Sequence, residues 1–176
     1  MTACRSDSRQ PVIKERELIK MALRNIVTKE DPILSKVCKP VDKFDEKLHQ
    51  LLDDMIETLR KAEGVGLAAP QVGYLKRVFI MDLGDEMLEC INPEITKRKG
   101  KQRVLEGCLS CPNDWGYVTR PMKCHLKAQN RYGEYYEVDL EELGAQCACH
   151  EYDHLDGNLF VGLIEERVDP KELEEK

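Results

Sequence analysis

The stretch His150-Glu151-Tyr152-Asp153-His154 has the H-E-x-x-H pattern. On an α-helix its two imidazoles lie one turn apart on the same face, where both can bind one metal ion. Glu151 follows the first histidine, a position from which a carboxylate can take the proton of a water molecule activated by that metal. The pattern predicts a helix that carries a metal-dependent hydrolytic site, provided that another part of the chain supplies a third ligand.

The segments around this motif predict an α+β fold. Apolar residues recur at helical spacing over 44–59 and indicate an amphipathic helix, and a last helix is expected over 141–155 with Gly157 as its stop. Between the helices lie five strand-like runs, of which the last two suggest a hairpin: 77–83, 88–91, 103–110, 123–129 and 134–140. A run of strands with one helix before and one after favours mostly antiparallel sheets packed around the C-terminal H-E-x-x-H helix.

Length and composition indicate one catalytic domain over residues 21–176. Residues 1–20 are polar and aperiodic, so we expect a disordered N-terminal extension. They hold no apolar core of a secretion signal, and three acidic residues disfavour an organellar transit peptide. The net charge of −6 argues against direct nucleic-acid binding, and no apolar run has the length of a membrane span. Eight cysteines without an export signal predict reduced thiols and a cytoplasmic location.

The third metal ligand is expected upstream of the motif. The extended H-E-x-x-H motif would need a histidine at Phe160, and the chain after His154 is too short for a further ligand-bearing domain. Glu165 and Glu166 are badly placed beyond the Gly157 turn, where a short apolar strand is expected. A metallopeptidase therefore remains only an alternative.

Cys108, in the segment E-G-C-L-S, is the best candidate for that ligand. A thiolate with two imidazoles suits zinc or ferrous iron and leaves one coordination position open. The alternatives are a buried structural thiol, or a closed Cys₂His₂ zinc site that adds Cys111. The closed site is disfavoured because the gap to the histidines is long and because residues three apart on one strand face opposite sides, unless the chain turns sharply at Pro112.

A third segment, G-V-G-L-A-A-P-Q at 64–71, is rich in glycine. Glycine lets the backbone approach a ligand closely, and the side chain of Gln71 can donate an amide N–H to a developing oxyanion. Taken alone, the segment is better explained as an ordinary glycine-rich connection between a helix and a strand.

Together, in this order, G-V-G-L-A-A-P-Q, E-G-C-L-S and H-E-Y-D-H resemble the three signature motifs of the peptide deformylase family, and the similarity runs over 21–163. The resemblance implies removal of the N-formyl group from the initiator methionine of new polypeptides, with release of formate. It also implies a ferrous iron site, which zinc, nickel or cobalt can occupy instead, held by Cys108, His150 and His154.

The resemblance further implies roles for other residues. Glu151 would move the water proton to the departing amine, while the amide of Gln71 and the backbone N–H of Leu109 would bind the oxyanion. Four residues would contact the formyl-methionyl substrate: Val65, Gly66, Glu106 and Gly107.

The sequence departs from the family pattern in several places. Cys149 stands where the family usually has glutamine, one position from His150, and its rotation around the helix should turn it away from the metal. Cys147, three residues before His150, should line the pocket, and Cys111 replaces a common aliphatic residue.

The C-terminal residues 168–176 are short and acidic, unlike the basic tail helix that some bacterial relatives place on the ribosome. The expected partner is therefore the N-formylmethionyl nascent peptide, and ribosome docking through this tail is in doubt.

Overall fold

The computed structural model describes residues 22–174, so the expected disorder of residues 1–20 lies outside the described residues. Residues 22–174 contain three α-helices: α1 (Glu46–Lys61), α2 (Glu142–Leu155) and α3 (Pro170–Glu174). Short 3₁₀ helices span Pro32–Ser35, Ala69–Val72 and Phe160–Leu163. The part of the chain that the structure describes also contains eight strands: β1 (Gly66–Ala68), β2 (Val78–Asp82), β3 (Met87–Lys99), β4 (Gln102–Cys108), β5 (Cys111–Arg120), β6 (Lys123–Gln129), β7 (Tyr135–Glu141) and β8 (Glu166–Val168).

The strands form two antiparallel sheets. The larger has the order β1-β2-β3-β6-β7, and the smaller has the order β4-β5-β8. β1 and β4 are therefore edge strands of different sheets. This mixed helix and antiparallel-sheet architecture confirms the predicted fold class.

The two long helices pack on opposite faces of the larger sheet. Successive side chains of a strand point to opposite faces, and β2 shows this clearly. Val78 and Ile80 pack with α1, whereas Phe79 and Met81 pack in the cluster that includes residues of α2. All four are fully buried, so the sheet is covered on both sides at this strand.

Local sequence explains where α1 begins and which face it buries. The side chain of Asp45 accepts a hydrogen bond from the backbone N–H of Leu48 at 3.1 Å and so satisfies one free donor of the first turn. Its apolar residues then recur at helical spacing and are buried against the sheet: Leu48, Leu51, Leu52, Met55 and Leu59.

Several predicted strand boundaries were wrong. The predicted strand over 103–110 ends at Cys108, where a tight turn leads into β5, a strand that the sequence analysis missed. The run 88–91 is the start of a strand that continues to Lys99 with irregular pairing after Ile91. The predicted apolar strand after Gly157 is instead the 3₁₀ helix Phe160–Leu163. Among the described residues, no helix is long and apolar enough to cross a membrane.

Candidate metal centre and active site

Cys108, His150 and His154 come together at the contact between α2 and the end of β4. One ligand atom from each lies within 4.8 Å of the others, and within residues 22–174 no other group of three such side chains is found. The Cys108 Sγ lies 3.4 Å from His154 Nε2, and the two imidazole rings are 5.1 Å apart between centroids. The structure thus brings together the three residues that the sequence analysis selected as metal ligands.

Cys111 lies close to Cys108 in the fold but does not join this group. The expectation that the two cysteines face opposite sides of one strand was wrong, because the chain turns at Leu109 and Ser110 and the cysteines become cross-strand partners. Cys111 is buried with Val118 and Phe160 in a small apolar cluster. Its sulfur is absent from the set of ligand atoms that meet, so the geometry favours three protein ligands and not four.

A buried network of charges holds His150. Its Nδ1 donates a hydrogen bond to Glu106 Oε2 at 2.9 Å, which leaves Nε2 for a metal. Arg120 contacts both Glu106 oxygens, at 2.8 and 3.0 Å, and Asp153 at 2.6 Å. Burial opposes a charge on His150, but the bond to Glu106 together with the negative charges of Glu151 and Glu106 raises the pKa of His150. The carboxylate–histidine pair fixes the tautomer and the orientation of the ring.

The donor chemistry fits a divalent cation. Burial, assisted by His150, lowers the pKa of His154 to about 3, so this imidazole is neutral, the form that binds metals. Its Nδ1 is buried without a hydrogen-bond partner. The neighbouring thiol of Cys111 and burial raise the pKa of Cys108, so a thiolate at this position needs an adjacent positive charge. A cation beside the three side chains would supply that charge.

Glu151 is a buried carboxyl group beside these ligands. Burial raises the pKa of Glu151 to about 7, and its Oε2 has no hydrogen-bond partner. Gly66 on β1 makes room for it, because a Cβ at that position would lie 2.5 Å from Glu151 Oε1 and 2.8 Å from Cys147 Sγ. A carboxyl group that can gain and lose a proton near neutral pH is suited to general acid–base catalysis.

Gln71 is held in the 3₁₀ helix Ala69–Val72 and directs its amide toward the ligand cluster. Its Oε1 accepts a hydrogen bond from the backbone N–H of Ala68 at 2.9 Å. Its Nε2 lies 3.1 Å from Ser110 Oγ and 3.5 Å from Cys108 Sγ. The amide N–H groups therefore lie next to the position where a metal and a substrate carbonyl would meet.

Cys108, His150, Glu151 and Gln71 border a pocket of about 470 Å³ between the edge strands β1 and β4 and the helix α2. We call the part lined by Cys108, His150 and Glu151 the inner end. We call the part lined by three exposed apolar side chains the mouth; they are Val65 (38% exposed), Trp115 (37%) and Leu143 (54%). Apolar groups make up most of the pocket surface, which suits an apolar side chain.

Except for His154, the sequence-predicted site residues border this pocket, including Leu109 and the four expected substrate contacts. Glu106 differs from the other three expected substrate contacts, because the residue is only 3% exposed and its carboxylate is already bound to His150 and Arg120. Cys147 also lines the pocket, whereas Cys149 is packed away from it near Cys124.

Sequence reasoning missed three groups of contributors. Arg120 gave no signal, because its partner Glu106 lies on another strand. Asp153 was within the H-E-x-x-H motif but was not given a role. The pocket residues Trp115, Leu143 and Gln146 were also missed. Leu143 and Gln146 lie at helical spacing on the face of α2 that carries Cys147 and His150.

A Cys-His-His group that could hold a metal ion, beside a free buried carboxyl group at the inner end of an apolar pocket, is an arrangement typical of metal-dependent hydrolases. Comparisons with known proteins narrow this class. The family model described as polypeptide deformylase matches residues 23–169.

Individual relatives agree with this match. A peptide deformylase of Caldicellulosiruptor bescii is 51% identical over 156 residues, which is 89% of this chain and 94% of that protein. A peptide deformylase of Clostridium botulinum is 53% identical over 141 residues, covering 80% and 96%. The crystal structure of the Thermotoga maritima peptide deformylase superposes with a TM-score of 0.80 at 43% identity, covering 82% of this chain and 99% of that chain.

The chain belongs to the peptide deformylase family. It is a metal-dependent hydrolase of the kind that removes the formyl group from the N-terminal methionine of polypeptides.

Proposed function

We propose that Cys108, His150 and His154 hold the catalytic metal ion and that the pocket binds the formyl-methionyl end of a nascent peptide. The observation that carries this proposal is the convergence of the three ligand atoms within 4.8 Å beside the unpartnered carboxyl group of Glu151. Residues 21–176 would form one catalytic domain, which the family match over residues 23–169 supports.

A divalent metal at this site supplies Lewis-acid activation of water and of the formyl oxygen. We propose ferrous iron as the native ion, with zinc, nickel or cobalt able to replace it, since a set of one thiolate and two imidazoles accepts all four. Glu106 keeps His150 oriented for this ion through the hydrogen bond to Nδ1.

Glu151 would act as the general base and then as the general acid. Its free Oε2 would accept the proton of the water that attacks the formyl carbon. As the bond between the formyl carbon and the methionine nitrogen breaks, the same proton passes to the nitrogen. The products are formate and a free amino terminus.

Gln71 and Leu109 would stabilise the formyl oxygen as it becomes negatively charged. The amide of Gln71 is already fixed through its Oε1, so it can donate without a loss of side-chain freedom. Leu109 lies in the turn that follows Cys108, where its backbone N–H can point into the pocket.

The methionine side chain would occupy the apolar pocket, with the peptide backbone between the edge strands β1 and β4. Val65, Gly66, Glu106 and Gly107 would line this path, Glu106 through its backbone because its carboxylate is already bound. Nascent formyl-methionyl peptides are made where ribosomes translate, so we place the protein in the cytoplasm. Transient ribosome contact remains a proposal without an assigned docking surface.

Formate release from formyl-Met-Ala-Ser tests this function. The protein, loaded with ferrous iron under anaerobic conditions, should release one formate per peptide and leave Met-Ala-Ser intact. Acetyl-Met-Ala-Ser is the control for the formyl group and should react far more slowly. Cleavage of a peptide bond, or no reaction while the metal is bound, would contradict the assignment.

A further inference from the structure

Trp115 is the single tryptophan of the chain and lies at the mouth of the pocket with 37% of its surface exposed. Its indole ring lies directly over the backbone of Gly107. A Cβ added at Gly107 would lie 2.7–2.8 Å from three ring carbons, a distance that real side chains do not tolerate. The absence of a side chain at Gly107 therefore allows the indole to lie flat against β4.

The strand that carries Trp115 is fixed on both sides. β5 is the central strand of the smaller sheet, where Trp115 pairs with Val168 on β8 and the next residue, Gly116, pairs with Glu106 on β4. The ring is thus mounted on a rigid support, one position along β4 from the ligand Cys108. A rigid aromatic side chain offers a large contact area at a small entropic cost on binding.

The position of the ring indicates which part of a substrate would reach it. In an extended peptide, successive side chains point to opposite sides, so the third side chain returns to the side of the first, about 7 Å further along. When the methionine side chain enters the pocket, the second side chain points away from it. The third side chain points back toward the pocket, and Trp115 is the aromatic side chain that lines its mouth.

We propose that Trp115 is a specificity-determining residue that selects an aromatic or long apolar side chain at the third residue of the formyl-methionyl substrate. This inference rests on the proposed function of the pocket. An aromatic side chain stacked on the indole gains a modest contact energy beyond its apolar area, whereas alanine or serine gains little.

The test compares three peptides: formyl-Met-Ala-Ala, formyl-Met-Ala-Phe and formyl-Met-Phe-Ala. The protein should process formyl-Met-Ala-Phe with a kcat/KM about three- to tenfold above that of formyl-Met-Ala-Ala. The difference should come from a lower KM and not from kcat. Trp115→Ala should bring this ratio close to one, and Trp115→Phe should keep most of it. Tyr132→Ala, which removes an exposed aromatic side chain in the β6–β7 connection, is the matched control and should keep the full ratio.

Fluorescence gives a second readout, because the indole is the only one in the chain. Binding of formyl-Met-Ala-Phe to the Glu151→Gln variant should shift the tryptophan emission to shorter wavelength, and formyl-Met-Ala-Ala should shift it less. Equal shifts for the two peptides would overturn the inference.

Other outcomes separate the inference from the function on which it rests. Formate release at equal kcat/KM from all three peptides, or a preference for phenylalanine at the second residue alone, overturns the role of Trp115 and leaves the deformylase function standing. A lack of formate release from every peptide overturns the proposed function itself.

Discussion

The inner end and the mouth of the pocket are built on different physical principles. At the inner end, the buried side chain of His150 is bound to Glu106, which is bound in turn to Arg120. At the mouth, Val65, Trp115 and Leu143 expose apolar surface. Buried charge pairs are intolerant of change, because removal of one partner leaves the other uncompensated, whereas exposed apolar contacts change binding in small steps.

This difference suggests that the two ends of the pocket have different roles. The inner end fixes the positions of a few atoms for chemistry, and the mouth adjusts which peptides enter. We therefore expect substitutions at the inner end to lower kcat or metal affinity strongly, and substitutions at the mouth to change KM by small factors.

Glu151→Gln should have the largest effect on turnover. Glutamine keeps the shape of the side chain but cannot accept and return the water proton, so kcat for formyl-Met-Ala-Ser should fall by about 10²- to 10⁴-fold. Metal content and the thermal unfolding temperature should stay close to those of the parent protein. Glu165→Gln removes an exposed carboxylate that contacts Arg103 and is the control. Full activity in the Glu151 variant would refute its role as the base.

Gly66→Ala tests whether the inner end tolerates a shift of Glu151. The added Cβ would lie 2.5 Å from Glu151 Oε1, so the carboxyl group must move, and kcat should fall by about 100-fold. Gly162→Ala is the control, since nothing lies within 4 Å of its new Cβ. If both variants kept the kcat of the parent protein, the close fit of Glu151 against β1 would not matter for catalysis.

The residues of the inner end could be predicted from the sequence, whereas the residues that hold them in place could not. The two histidines were predicted because they lie one helical turn apart, and Cys108 was predicted from its short motif. The link from Glu106 to Arg120 was not, because it joins side chains 14 positions apart on two strands, one of which was not recognised. β5 begins at Cys111, and its next two residues are Pro112 and Asn113, residue types that usually mark turns. Local propensity therefore gave no indication of a strand here.

The helices and the paired hairpin were predicted closely, while strand ends were not. Apolar spacing alone defined the buried face of α1, and α2 begins within one residue of its predicted start. In β3, Asn92 adopts a positive φ of 49° and the pairing with β6 is irregular nearby, so the strand continues through Asn92 and Pro93, two residue types that are depleted in strands. Tertiary pairing and not local sequence decides such a strand.

Glu106→Gln should have an intermediate effect. The amide can still contact His150 but no longer carries the charge that Arg120 and His150 share, so metal affinity or kcat should fall by about 10- to 100-fold. Metal dissociation measured with a chelator, alongside kcat, would separate the two effects. Glu94→Gln, at an exposed position of β3, is the control. An unchanged dissociation rate together with an unchanged kcat would show that Glu106 does not position His150.

Leu143→Ala should have the smallest effect. About half of this side chain is exposed, so its truncation removes little apolar contact with a substrate, and KM should rise about threefold with kcat unchanged. Leu163→Ala removes a leucine of similar exposure that does not border this pocket. A loss of kcat as large as that of the inner-end variants would remove the distinction between the two ends.

The metal content of Cys108→Ala and Cys111→Ala tests the central claim most directly, because the two thiols are cross-strand partners and only one belongs to the ligand group. Each variant would be reconstituted with zinc, dialysed and analysed for bound metal, with folding checked by circular dichroism and Cys108→Ser as a second variant. We expect about one zinc ion per chain in the parent protein and in Cys111→Ala, and almost none in the two Cys108 variants. Equal loss of zinc from the Cys108 and Cys111 variants would contradict the three-ligand site and favour a closed structural one.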